Sequence, residues 1–220
     1  MSGPFILHSM WRATAPYRVR IALNLKGVAF DIAPVNLAGG EQRGASYRSL
    51  NGQALVPALE TAGGILTQSL VILEWLEESH PSPPLLPSDP YDRAVVRTMA
   101  QIVACDIHPL NNLRILQALG DLGHPMGSPE QRAWGARWIN DGFAALEPMV
   151  ASHGAGFAFG ATPTMADCCL IPQMWSSSRF GVDLATYPAL FALAARAALH
   201  PAFIAAHPDR QPDAITTPAP

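Results

Sequence analysis

Two hydroxyls, Ser69 and Thr14, stand where the chain can open a helix, and a helix start is a place where an anion can be held. From Ser69 to Ser79, Leu70, Ile72, Leu73 and Leu76 lie on one side of a helical pattern, with Glu74, Glu77 and Glu78 largely on the other. The unpaired N–H groups at Gln68-Ser69 and the positive dipole end suit a carboxylate, and the Ser69 hydroxyl adds a donor. Ser69 could equally cap its own helix; one role does not exclude the other. Thr14 is the sole hydroxyl of Ala13-Thr14-Ala15-Pro16, where Pro16 suits the first helical position, and it too could act only as a cap.

Only one of the fourteen cationic residues, Lys26, is a lysine, so nearly every positive charge is a planar guanidinium shaped for carboxylates. A composition favouring Arg, Ala and Pro accounts for the same count. The histidines are scattered without metal-ligand spacing, so no metal is expected. Cys105, Cys168 and Cys169 form neither a CxxC pair nor a disulfide framework and read as reduced core thiols.

These residues need elements to hold them. Phe5 to Met10 suits a buried strand; a helix follows, with Val19, Ile21, Ala22, Leu23 and Leu25 at helical spacing and Gly27 as its stop. Phe30 and Ile32 mark a second strand, which Pro34 places at a sheet edge. A short helix is expected near Glu41 to Leu50, then a hairpin of Leu55–Glu60 and Ile65–Thr67 about Ala62-Gly63-Gly64. The order β-α-β, then β-β-α, describes a mixed four-stranded sheet with helices packed on it.

His80 to Pro90 holds five prolines in eleven residues, which no helix can cross, so the domain boundary is expected there. Helical patterns follow over Tyr91–Leu119, Glu130–Ser152, Thr164–Phe180 and Pro188–Leu199, and Pro208–Pro220 reads as a frayed tail. Pro109 should kink the first of these helices. Thr164-Met165-Ala166-Asp167 has the form of a capping box, a structural role.

Hydrophobic residues make up 49% of the 220 and charged residues 14%, a globular balance. The net charge of −3 and the absence of any Lys/Arg-rich run argue against a nucleic-acid partner. The start, Met1-Ser2-Gly3-Pro4-Phe5, lacks a charged region followed by a long apolar stretch, and no run approaches a membrane span, so a cytoplasmic protein is expected.

Five stretches in order, Met10 to Gly27, Leu55-Val56-Pro57-Ala58-Leu59, Gln68-Ser69-Leu70-Val71-Ile72, Asp106 to Arg114 and Arg179 to Leu184, together resemble the zeta class of glutathione transferases. The best match is its maleylpyruvate and maleylacetoacetate isomerase branch. The resemblance implies the glutathione transferase fold: a thioredoxin-like α+β N-terminal domain and an all-α C-terminal domain. The expected boundaries are residues 1–80, a Pro-rich linker 81–90, helices over 91–208 and a tail 209–220. It also implies a symmetric homodimer.

For the site, the resemblance implies a cis Val56-Pro57 bond that aims the Val56 backbone at the cysteinyl part of glutathione, with Gln68-Ser69 taking its γ-glutamyl carboxylate. Asp106, His108 and Asn112 are further glutathione-binding candidates. A thiol has an ordinary pKa of about 8.5, and each unit of lowering takes about 1.4 kcal/mol, so donors must converge on the sulfur. Zeta relatives place serines and often a cysteine in the turn before the first helix; here only Thr14 remains, so Thr14 is the expected thiolate donor. Arg12, Arg114 and Arg179 are the expected grips for a second substrate with two carboxylates.

The implied activity is glutathione-dependent cis–trans isomerisation of maleylpyruvate or maleylacetoacetate in aromatic catabolism: thiolate addition, bond rotation, elimination. Two alternatives stand beside it. One is a glutathione transferase that conjugates small electrophiles such as α-halo acids; the other is a non-catalytic glutathione-binding protein, suggested by Ala13, Ala15 and Pro16.

Overall fold

In the computed structural model, which describes residues 5–214, the chain forms two compact units. One runs to Leu85 and resumes at Leu199; the other is Leu86–Ala198. The first unit begins β1 (Phe5–Ser9), α1 (Thr14–Leu25), β2 (Phe30–Pro34), α2 (Ala45–Leu50), β3 (Ala58–Thr61), β4 (Gly64–Thr67) and α3 (Ser69–Ser79). Its sheet has the order β2-β1-β3-β4, with β1 parallel to β2 and antiparallel to β3, and β3 antiparallel to β4. This is the mixed four-stranded sheet expected from the sequence. Leu7 stands opposite Ile32 on one side and Leu59 on the other, so the apolar run of β1 fills the middle of the sheet. Pro34 closes the edge strand β2, where its missing N–H leaves no ladder bond unmade.

Two details differ from the sequence reading. The helix expected over Glu41–Leu50 is split: Glu41–Arg43 is a 3-10 turn, extended Gly44 interrupts it, and α2 starts afterwards. Strand β3 starts at Ala58 rather than Leu55, because Leu55–Pro57 is a loop that ends in a cis Val56-Pro57 bond. Beneath α1, buried Lys26 pairs with Glu77 of α3 at 2.6 Å and donates to the Pro83 carbonyl at 2.8 Å. Glu77 also accepts from the Leu85 amide, so the proline-rich segment up to Leu85 is pinned to the first unit.

The second unit contains α4 (Pro90–Gln101), α5 (Leu113–Asp121), α6 (Pro129–His153), α7 (Met165–Ser177) and α8 (Pro188–Ala197). Its core includes Val96, Met99, Ile139, Phe143, Leu146, Leu170 and Leu190. Helix α4 packs on α7, and α6 on α8. Instead of one kinked helix over Tyr91–Leu119, α4 ends at Gln101 and passes through a π-helical turn (Ile102–Ile107) and a 3-10 turn (His108–Asn111) before α5. Pro109 thus breaks the helix rather than bending it. In the π turn Cys105 is exposed, so only Cys168 and Cys169 are core thiols.

The chain then returns to the first unit. Helix α9 (Pro201–Ala206), expected within the helical domain, packs against α1 instead. Of the expected tail, Pro208–Arg210 forms a 3-10 turn, and residues 215–220 lie outside the described residues. No helix among the described residues is long and apolar enough to cross a membrane.

The capping box is present. Fully buried Asp167 accepts from the Thr164 amide and hydroxyl at 2.7 and 2.9 Å, and from the Ala158 amide at 2.7 Å. Burial pushes its carboxyl up from 3.8 to about 6, against the pull of these donors. The folded protein therefore keeps a proton here that the unfolded chain has already released. The resulting stabilisation is complete below 3.8 and is lost as pH rises to about 6. Urea unfolding across that window should show stability falling with pH, and Asp167→Asn should flatten this slope; an unchanged slope places the proton elsewhere.

Candidate functional site

The mouth of α1 is built on a tight turn. The Ala13 amide donates to the Met10 carbonyl at 3.0 Å, which puts Trp11 and Arg12 at the two corners. Thr14 is the first helical residue, only 6% exposed, and the cap position before it belongs to Ala13, whose methyl can cap nothing. Arg12 is exposed, its guanidinium 5.8 Å from the centre of the Trp11 ring. Thus a buried hydroxyl and an exposed guanidinium lie two residues apart at the positive end of a twelve-residue helix.

Behind the turn sits Arg20, with 0% exposure. It donates to the Ala206 carbonyl at 3.0 Å, the Ser9 hydroxyl at 3.0 Å and the Trp11 carbonyl at 2.8 Å, and stacks over Tyr17 at 5.1 Å. Burial brings its pKa down to about 10, while Tyr17 and Asp213 act the other way. Asp213 itself accepts from the Trp11 amide at 2.9 Å.

The second helix mouth in this unit is at α3. Gln68 occupies the cap position and Ser69 is the first helical residue, so Ser69 is not the cap. Gln68 has φ 69 and ψ 115, a conformation that side-chain-bearing residues rarely adopt. Its side chain donates to Gln53 at 2.6 Å, while the buried Ser69 hydroxyl accepts from Arg18 at 3.1 Å. Ahead of Val56, the Leu55 carbonyl accepts from both Tyr47 at 2.8 Å and Asn51 at 2.7 Å. The loop before the cis bond is therefore held by two buried side chains.

The remaining candidates lie in the second unit. Asp106 is exposed in the π turn; His108 opens the 3-10 turn and is partly buried. Asn112 caps α5 by accepting from the Arg114 amide at 3.2 Å, and Arg114 is exposed. Arg179 is exposed in the 3-10 turn Ser178–Phe180, its guanidinium 5.8 Å from the centre of the Phe180 ring. Helix α6 backs both segments. At Gly135 an added Cβ would run into the Phe180 ring, and at Gly142 into Ile107. Trp134 of α6 also donates to the Leu110 carbonyl at 2.7 Å. Among the described residues no group of His, Cys, Asp and Glu could hold a metal ion.

Residues 15–79 match the family model of the glutathione S-transferase N-terminal domain. The maleylacetoacetate isomerase of Pseudomonas aeruginosa is 46% identical over 210 residues, 94% of this chain and 97% of that protein. Among solved structures, a bacterial zeta-class maleylpyruvate isomerase in its holo form has a TM-score of 0.92 and 44% identity, covering 96% of this chain and 100% of that one. The maleylacetoacetate isomerase of Anaeromyxobacter dehalogenans, with dicarboxyethyl glutathione and citrate bound in its active site, has a TM-score of 0.87 and 41% identity, covering 97% and 94%. The chain belongs to the zeta class of the glutathione transferase family, in the branch of the maleylacetoacetate and maleylpyruvate isomerases.

Sequence reasoning passed over Arg18, which bonds Ser69, and over Arg20, Asp213, Tyr47 and Asn51, which bond the backbone of Trp11 or Leu55 beside candidate residues. Two substitutions test this scaffold. Gln68→Gly relieves an unfavourable backbone and should leave thermal stability unchanged or raise it by up to about 1 kcal/mol, whereas Gln68→Ala gains nothing. Gly135→Ala forces the Phe180 ring aside and should cost about 1–3 kcal/mol in denaturant unfolding. A neutral Gly135→Ala would mean that α6 does not fix the segment bearing Arg179.

Proposed function

We propose that the chain is a glutathione-dependent cis–trans isomerase acting on maleylpyruvate or maleylacetoacetate. The observation that carries this reading is the pairing of the buried Thr14 hydroxyl with the exposed Arg12 at the start of α1, in a chain whose relatives bear those activities in their names. The residues present suit the tripeptide. The start of α3 at Gln68-Ser69, which no side chain caps, matches the γ-glutamyl carboxylate, and the loop at Val56-Pro57 offers backbone groups to the cysteinyl unit. Asp106, His108 and Asn112 complete the proposed glutathione set.

Bound glutathione supplies a thiolate that bonds reversibly to one alkene carbon, so that the former double bond can turn before the thiolate leaves unchanged. Thr14 donates to the sulfur and favours its charged form, assisted by the dipole of α1. Arg12, Arg114 and Arg179 hold the two carboxylates and stabilise the charge that spreads onto the neighbouring carbonyl, a preorganised arrangement that typically contributes several kcal/mol. The dicarboxyethyl glutathione in the Anaeromyxobacter relative supports a substrate with two carboxylates. A homodimer in the cytoplasm belongs to the same reading, and sedimentation tests its assembly.

Purified protein with glutathione and maleylpyruvate should cause a glutathione-dependent loss of the substrate's absorbance without consuming thiol. Thr14→Ala should lower turnover about 10- to 100-fold and Thr14→Ser should retain most of it. A stable thioether product would favour the conjugating transferase. Glutathione binding with no turnover on either substrate type would favour the non-catalytic reading, which the methyls of Ala13 and Ala15 motivate.

A further inference from the structure

The backbone of Trp11, a corner residue of the Met10–Ala13 turn, is gripped on both sides, by a side chain from α1 and by one from the far end of the chain. A tight turn uses the carbonyl of its first residue and the amide of its fourth, so the Trp11 N–H and C=O are left to find partners elsewhere. The N–H donates to Asp213, 202 residues away, at 2.9 Å. The C=O accepts from Arg20, which also donates to the Ser9 hydroxyl and the Ala206 carbonyl. The two gripping groups also attract each other, the partly buried Asp213 carboxylate and the buried Arg20 guanidinium. One residue further on is Arg12, which rests on the Trp11 ring, and three further is Thr14. A shift of the Trp11 backbone would therefore carry both with it.

We infer that Asp213 is a positioning residue for the active-site turn: with Arg20 it clamps the Trp11 backbone, so that the C-terminal segment sets where Thr14 and Arg12 stand. The assignment rests on the functional reading proposed above. It adds to it that a residue making no contact with the reacting atoms controls their placement, and that it does so through a hydrogen bond to backbone. The bond needs an acceptor at position 213 and not a charge, so an amide can replace the carboxylate.

The test compares Asp213→Ala with Asp213→Asn in the full chain. In the unaltered protein the Trp11 amide should exchange with solvent at least about 100-fold more slowly than an unstructured amide, a measurement that needs no ligand. Asp213→Ala should speed that exchange about 10-fold and lower kcat/KM for maleylpyruvate about 5- to 10-fold. Glutathione affinity should stay within about two-fold, because Val56 and Ser69 are untouched. Asp213→Asn should restore both exchange and kcat/KM. Fast exchange in the unaltered protein, or an Asp213→Ala protein that melts earlier but isomerises normally, overturns the assignment. Should Asp213→Ala fail to fold, Asp213→Leu, similar in shape and without an acceptor, takes its place with the same expectations. Absence of turnover in the unaltered protein would count against the isomerase reading alone, since the amide exchange of Trp11 still decides the clamp.

Discussion

Arg20 carries its charge to a place with no exposed surface, and the first strand, the turn after it and the last helix of the unit are arranged to meet its hydrogen bonds. An isolated buried cation is strongly disfavoured, so each of these acceptors has to be in place. A planar fork fits this position, because its N–H groups diverge at fixed angles and its face lies over Tyr17. A lysine's three N–H groups radiate from a single nitrogen, whereas here three different nitrogens each meet an acceptor. In satisfying one guanidinium, the fold fixes Ser9 at the end of β1, the Trp11 carbonyl in the turn and the Ala206 carbonyl in α9. The geometry of the α1 mouth follows from that.

The second unit uses a different device to hold its candidate residues. Apart from Asn112 and Arg114 at the start of α5, they lie on short irregular segments, a π turn, a 3-10 turn and the residues after α7, that have little stability of their own. Helix α6 compensates by offering notches. Gly135 and Gly142 admit Phe180 and Ile107 against its backbone, and Trp134 ties down Leu110. Close packing at glycine leaves little room for the segments to slide. Arg179 and His108, each the sequence neighbour of a notched residue, inherit that rigidity.

Much of the architecture was legible in the sequence, and the exceptions share a cause. The bounds of α3 coincide with the amphipathic run Ser69–Ser79, and the succession of four strands follows from punctuation by Gly and Pro. Local pattern could not foretell that α9 returns to α1, because the decision rests on an arginine meeting a carbonyl 186 residues away. Nor could it place the start of α1 to the residue: the helix opens at Thr14 rather than Pro16, a matter of the backbone angles at Ala13. For the candidate site, Arg12, Thr14, Val56 and Ser69 were legible through family resemblance. Arg20 and Asp213 were not, since their bonds to the Ala206 carbonyl and the Trp11 amide span 186 and 202 residues and leave no periodicity behind.

The central claim is that the sulfur of glutathione is held ionised at the mouth of α1. A crystal structure of the protein with glutathione tests it most directly. The sulfur should lie within hydrogen-bonding distance of the Thr14 hydroxyl, with the γ-glutamyl carboxylate against Gln68-Ser69. A sulfur lying away from residues 12–16, with Thr14 donating to something else, would contradict it.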